Sequence, residues 1–239
     1  EESKALKLNG STQFKFQTGV DVEFDRPFTM AGWIKPSGKP SGAILSKMDE
    51  KAAYRGFDLW MEGGRIGTHI VNTWESNALK VVSSEVLKPD TWQHVVLTYD
   101  GSHKAAGVKI YIDGKLSKNQ VQADTLSATI VTSQPLRIGS RSTSANWKGE
   151  VDDLRIYGRA LPEGEIVSVA QGDPVESILA TPADKRQESD KKVLLACYLG
   201  TEDKIYKKLV AERQKFVKQR SDLDRKPVTS MIMQDNPPD

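Results

Sequence analysis

The chain has 239 residues, with 34 Lys and Arg set against 32 Asp and Glu. That near-balance removes the electrostatic case for a nucleic-acid partner, which rests on a basic excess. No apolar run approaches the roughly 20 residues a membrane-spanning helix needs, so membrane insertion is not expected.

The single cysteine, Cys197, has nothing to pair with inside the chain. Neither a disulfide framework nor a thiolate metal cluster is therefore expected. The opening residues EESKALKLNG lack an initiator Met, a basic start and an apolar segment. The chain reads as a processed or excised piece whose targeting signal lies upstream.

Up to about residue 160 nearly every segment alternates apolar and polar residues between turn signals, the period of a β-strand. Ala5 to Leu8 ends on Asn9-Gly10, and Phe14-Lys15-Phe16 alternates cleanly. Phe28 to Lys35 is a longer run stopped by Pro36 and Gly38. Ala43 to Leu45, Phe57 to Met61 and Ile66 to Val71 follow, with Gly63-Gly64 predicting a hairpin between the last two. Leu79 to Val82 comes next. Then Trp92 to Lys115 predicts a strand over Val95–Tyr99 and another over Val108–Ile112, closing on Asp113-Gly114. Leu136 to Gly139 and Val151 to Tyr157 complete the set. About ten or eleven short strands without an intervening helix predict an all-β antiparallel sandwich.

After Tyr157 the composition shifts. Pro162 to Ile166 turns into a short helix ending near Gly172, and 184–199 predicts a second helix. Thr201 can cap a third, over about 201–224, with Glu202 and Asp203 favourable in its first turn. Ile205, Leu209, Phe216 and Leu223 draw one apolar stripe along it. The expected organisation is a sandwich over 1–171, then a helical segment over 172–239 that opens a truncated downstream domain.

In order and spacing these motifs resemble the laminin-G-like, concanavalin-A-like jelly-roll modules. The matching residues are Phe28 to Ile34, Ile44 to Lys47, Trp92 to Val95 with Thr98-Tyr99-Asp100, Ile110 to Gly114, Leu136 to Gly139 and Gly149 to Tyr157, which together cover about residues 4–170. Trp74 to Ala78, Asp100-Gly101-Ser102 with Ala105 to Val108, and Val228 to Gln234 resemble segments of large planctomycete cytochrome-c-like proteins. In those proteins such a module lies between domains of unknown function. The resemblance implies an extracytoplasmic, exported protein whose neighbouring domains are partners of this one. No Cys-x-x-Cys-His occurs here, so a haem-bearing part would lie upstream.

Three chemistries are weighed within that resemblance. Glucanases of this sandwich carry a Glu-x-Asp-x-Glu or Glu-x-Asp-x-x-Glu strand, and retaining hydrolysis needs two carboxyls about 5–5.5 Å apart. In Glu150-Val151-Asp152-Asp153-Leu154-Arg155 the second Glu is replaced by Leu154 or Arg155, so no catalytic role is expected. Related modules hold a Ca²⁺ through carboxylates and carbonyls, which suits a hard cation. The candidate ligands for one structural Ca²⁺ are Asp152, Asp153 and Asn9.

Carbohydrate modules stack sugars on exposed aromatic rings and pair hydroxyls with amide and charged side chains. Trp74, beside Asn72 and Asn77 in a polar segment, is the Trp that strand alternation explains least, and Trp147 is next. Arg65, His69 and Arg141 are candidates to join them. Trp33 and Trp92 are expected in the core, and Trp60 is open. His94 is expected to be structural, His69 is isolated on a strand and His103 lies in a turn, and no nucleophile is identifiable beside the histidines for a catalytic triad. A non-catalytic module recognising polysaccharide or glycan is the leading expectation. A structural spacer or intramolecular docking module is the alternative.

Overall fold

The structure is a computed structural model, and it describes residues 5–16, 20, 22–170 and 178–201, with 203–206, 208–209, 212 and 215–216. Thirteen strands form among the described residues: β1 (Leu6–Asn9), β2 (Phe14–Phe16), β3 (Phe28–Pro36), β4 (Gly42–Asp49), β5 (Arg55–Glu62), β6 (Arg65–Thr73), β7 (Asn77–Val86), β8 (Gln93–Tyr99), β9 (Val108–Ile112), β10 (Lys115–Leu116), β11 (Asn119–Asp124), β12 (Leu136–Ile138) and β13 (Lys148–Tyr157). They pair antiparallel into a six-stranded sheet, β1-β13-β3-β8-β9-β10, and a seven-stranded sheet, β11-β7-β6-β5-β4-β12-β2. The fold is the expected antiparallel β-sandwich.

The alternation seen in sequence decides which face each residue takes. Phe57, Leu59 and Met61 of β5, Ile66 and Ile70 of β6, and Val95, Leu97 and Tyr99 of β8 point between the sheets into one core cluster. Both predicted tight turns form. Gly63 and Gly64 have φ of 56° and 82°, and Asp113 and Gly114 have 49° and 75°, the pair of positive values a two-residue turn of the primed kind requires.

Edge strand β11 departs from expectation. Its sequence NQVQAD is polar and mostly exposed, so no apolar alternation marks it. It forms because β7 offers it a free backbone edge.

The outer face of the six-stranded sheet is covered. Helix α1 (Glu163–Ala170) lays Ile166 over Ala31, Val96, Tyr111 and Leu161. The Thr29 hydroxyl donates to the Arg159 carbonyl (2.8 Å) and accepts the Leu161 amide (3.0 Å), fixing the approach to the helix. A further helix, α2 (Glu188–Thr201), begins somewhat later than the predicted 184–199, and Cys197 on it is half-buried. Contacts divide the chain into Glu1–Tyr198 and Leu199–Asp239. The predicted helix over 201–224 and the Val228–Gln234 segment lie mostly outside the described residues.

Trp33, expected in the core, is half-buried on that same outer face, with its ring edge-on to His94 at 5.2 Å. His94 is 1 % exposed, and neither ring nitrogen has a hydrogen-bond partner. Burial pushes its pKa down to about 4, against the raising pull of Asp153 and Asp113. A base held neutral by burial takes its proton more readily when unfolded. Stability is therefore untouched above the ordinary value of 6.5 and is lost as pH falls from there towards about 4. His94→Leu should flatten the decline of melting temperature over that window. A slope equal to that of the unsubstituted protein would show that His94 is not the group responsible.

Candidate functional site

The outer face of the seven-stranded sheet gathers the polar and aromatic residues that the core excludes. Alternation sends Asp58 and Trp60 of β5 outward, because Phe57, Leu59 and Met61 point inward. The Gly63-Gly64 turn pairs Glu62 with Arg65 and Phe57 with Ile70, so Asp58 stands opposite His69 on β6. Here the backbone ladder opens and side chains take over its hydrogen bonds. The His69 amide donates to Asp58 Oδ1 (2.8 Å), and the Thr68 hydroxyl donates to the Asp58 carbonyl (2.6 Å).

Asp58 is fully buried, and Arg141 reaches it from the loop after β12. Arg141 Nε (2.9 Å) and Nη2 (2.6 Å) both donate to Asp58 Oδ2. Oδ1 is left to His69, whose Nδ1 lies 3.1 Å away. Burial pushes the Asp58 carboxyl up, but the charges and hydrogen bonds of His69 and Arg141 outweigh it and hold the pKa at about 2. His69 Nδ1 is also 2.9 Å from Arg141 Nη2. It satisfies only one neighbour at a time, donating to Asp58 when protonated or accepting from Arg141 when bare.

Aromatic rings enclose these ions. The Arg141 guanidinium carbon is 4.3 Å from the Trp60 ring centroid and 5.7 Å from that of Tyr54. The His69 ring stands edge-on between Trp60 (5.3 Å) and Trp74 (5.4 Å). Trp74 is half-buried against Met48, Val71 and Ala78, and its amide donates to the Ala53 carbonyl beside Tyr54. Met48, Tyr54, His69, Val71, Trp74 and Arg141 line an open cleft of about 150 Å³. Two groups remain uncommitted there among the described residues, Arg141 Nη1 and His69 Nε2.

The loop carrying Arg141 is latched on both sides. Ser46 Oγ donates to the Ser140 carbonyl (2.8 Å). The Glu50 carboxylate accepts from the Ser142 hydroxyl, the Thr143 amide and hydroxyl, and the Ser144 amide and hydroxyl. Burial again pushes this carboxyl up, and the donors of Ser144, Thr143 and Ser142 more than offset it, leaving a pKa of about 2. Glu50 is a positioning residue for Arg141.

The sequence candidates distribute unevenly. Trp74 lines the cleft, and His69, read as isolated, is one of its central groups. Asn72 and Asn77 flank Trp74 but serve the scaffold: Asn72 Nδ2 donates to the Thr129 carbonyl (2.7 Å), and Asn77 exchanges hydrogen bonds with the Ser127 hydroxyl and amide. Trp147 is corrected. Its ring is 0 % exposed, its Nε1–H donates to Met61 Sδ (3.3 Å), and it leaves no room for a Cβ at residue 149. An indole so enclosed has no face to offer a ligand. Arg65 stands apart from the cleft, four residues from His69 along β6 and hence about 13 Å from it at strand rise.

The cation candidates do not converge. Asn9 is opposite Lys148 on β13, so Asp152 lies four residues, about 13 Å, along the strand. Asn9 Oδ1 already accepts from the amides and hydroxyls of Ser11 and Thr12. Asp153 pairs with Arg155 (2.7 Å). No group of three or more His, Cys, Asp or Glu is assembled to hold a metal among the described residues. Glu150, which pairs with Lys35 (3.3 Å), sits outward of Val151 on the other sheet, remote from the cleft.

A sequence profile of the concanavalin A-like lectin/glucanase superfamily, of laminin G type, matches residues 8–167, and the chain belongs to that superfamily. Among solved structures it is similar to the carbohydrate-binding module CBM40 of the Ruminococcus gnavus IT-sialidase bound to α2,3-sialyllactose, with a TM-score of 0.56, 16 % identity, and coverage of 70 % of this chain and 96 % of that one. It is also similar to the binding domain of Paraclostridial Mosquitocidal Protein 1, with a TM-score of 0.54, 17 % identity and coverage of 71 % and 43 %. These likenesses establish the shared fold. Comparison with curated proteins finds no match.

Removing Asp58 strands a buried guanidinium. Asp58→Ala should cost about 3–5 kcal/mol in urea unfolding, as for a broken buried ion pair. Adding Arg141→Ala to it should cost less than the sum of the two single losses. Additive losses would contradict the coupling.

Proposed function

We propose that this chain is a non-catalytic carbohydrate-recognition module, with the cleft of Tyr54, His69, Trp74 and Arg141 as its binding site. The observation that carries the reading is the half-buried Trp74 indole beside the two uncommitted polar ends, Arg141 Nη1 and His69 Nε2. An apolar ring face with fixed polar groups at its edge suits a sugar, which presents C–H groups on one face and hydroxyls around its rim. The sialyllactose-bound CBM40 supports a glycan as the ligand class by likeness of fold.

Hydrolysis needs an exposed carboxyl pair. The carboxylate nearest the cleft, Asp58, is buried beneath Arg141 and His69 and held ionised by them, so it serves neither as general acid nor as nucleophile. Turnover of a β-glucan that is abolished by Glu150→Gln would overturn this part of the reading. The same proposal places the module in a larger exported protein, outside the cytoplasmic membrane, with its neighbouring domains as further partners.

A glycan array tests the reading. The chain should retain at least one carbohydrate, and Trp74→Ala, with unchanged circular dichroism, should weaken binding by about tenfold or more, as loss of a central aromatic anchor does. Retention of no glycan would remove the carbohydrate reading in favour of a docking surface for the neighbouring domains.

A further inference from the structure

A second, larger cleft also borders Trp74. It has a volume of about 410 Å³ and is lined by Trp74, Glu75, Lys80, Gln122, Ala123, Asp124 and Thr125. The first cleft, at about 150 Å³, falls below the roughly 300–1,000 Å³ that encloses a drug-sized ligand. It has room for a single ring. Trp74 is the wall common to both.

The second cleft owes its shape to a β-bulge. Strand β11 pairs Val121 with Val81 and then Ala123 with Lys80, so Gln122 is the extra residue with no opposite number on β7. A bulge of this kind re-aims the side chain it frees. Gln122 is exposed, and its amide has no hydrogen-bond partner among the described residues. The Glu75 carboxylate, next to Trp74 in the chain, is likewise exposed and uncommitted.

The remaining polar groups are tied into the scaffold. Lys80 pairs with Glu62 (2.8 Å) and stands 6.0 Å from the Trp74 ring centroid. Thr125 Oγ1 accepts the Ala78 amide, and Asp124 Oδ1 accepts the Ala105 amide. Two free groups, one amide and one carboxylate, thus face a cleft whose inner wall is an indole already shared with the first site.

We infer that this second cleft is a subsite for the next sugar unit, and that the module recognises an oligosaccharide or polysaccharide chain crossing Trp74 rather than a lone terminal sugar. The inference rests on the carbohydrate reading of the first cleft. Gln122 offers both a donor and an acceptor to a hydroxyl pair, and Glu75 accepts from a third hydroxyl. Both are specificity-determining contacts for the second unit only.

The test is a glycan array printed with glucose, galactose, xylose, N-acetylglucosamine and N-acetylneuraminic acid, each as the monosaccharide and as oligosaccharides up to four units. It is read with the intact chain and with Gln122→Ala, an exposed position whose loss leaves the core untouched. Binding should strengthen from one unit to two. Gln122→Ala should remove about threefold to tenfold of the two-unit affinity, the worth of one or two hydrogen bonds, with one-unit binding unchanged. Equal binding of one-unit and longer glycans, unaltered by Gln122→Ala, would overturn the second subsite and leave the first cleft standing. No binding to any spot would overturn both.

Discussion

The ion cluster of Asp58, His69 and Arg141 is the constraint on which the outer face of the seven-stranded sheet depends. A carboxylate with no exposure is affordable there only because two cationic or hydrogen-bonding side chains converge on it, one on each oxygen. That convergence opens the β5–β6 ladder at Asp58, and it fixes the Arg141 guanidinium against Trp60 and Tyr54. The cation–π contacts, each worth about 0.5–2 kcal/mol according to desolvation, then hold the rings that shape the cleft. Glu50 adds an independent tether to the Arg141 loop, through the serine and threonine residues at 142–144. The buried charge organises the surface above it.

The two outer faces of the sandwich have opposite fates for a simple reason. On the six-stranded sheet Ala31, Val96 and Tyr111 form an apolar patch that α1 must cover. On the seven-stranded sheet the corresponding positions are Asp58, Trp60, His69 and Lys80, which are polar or amphipathic and need no covering helix. The acidic pair of Glu150 and Asp152, the motif closest to a glucanase strand, lies on β13 of the six-stranded sheet, away from the aromatic cleft.

Much of the fold was legible in the chain. Period-two alternation located the buried strands, and the glycine pairs located the turns between them. The polar edge strand β11 was not visible, because an edge needs only backbone hydrogen bonds and its sequence carries no burial pattern. The site was half legible. The two-residue turn at Gly63-Gly64 sets the β5–β6 register, so Asp58 opposite His69 followed from it in principle. Yet Asp58 looked like one outward polar residue in an ordinary strand. Arg141 comes from more than 70 residues further along the chain than His69, a long-range contact that no local signal encodes. Trp147 misled because its polar neighbours, Asn146 and Lys148, are loop and strand-start residues around a core-filling ring. Trp74, which its polar surroundings mark in the sequence, lines the cleft, but its asparagine neighbours hold the loop over 125–129 instead of facing it.

The central claim is that ligand recognition resides on the outer face of the seven-stranded sheet and is organised by the buried cluster beneath it. The most direct measurement is nuclear magnetic resonance of the indole N–H and imidazole signals during titration with an array-positive glycan. The account predicts that the Trp60, Trp74 and His69 signals move together along one saturating curve, while those of Trp147 and Trp33 stay fixed. Movement of Trp33 and His94 with Trp74 unchanged would put the ligand on the opposite sheet and contradict the account.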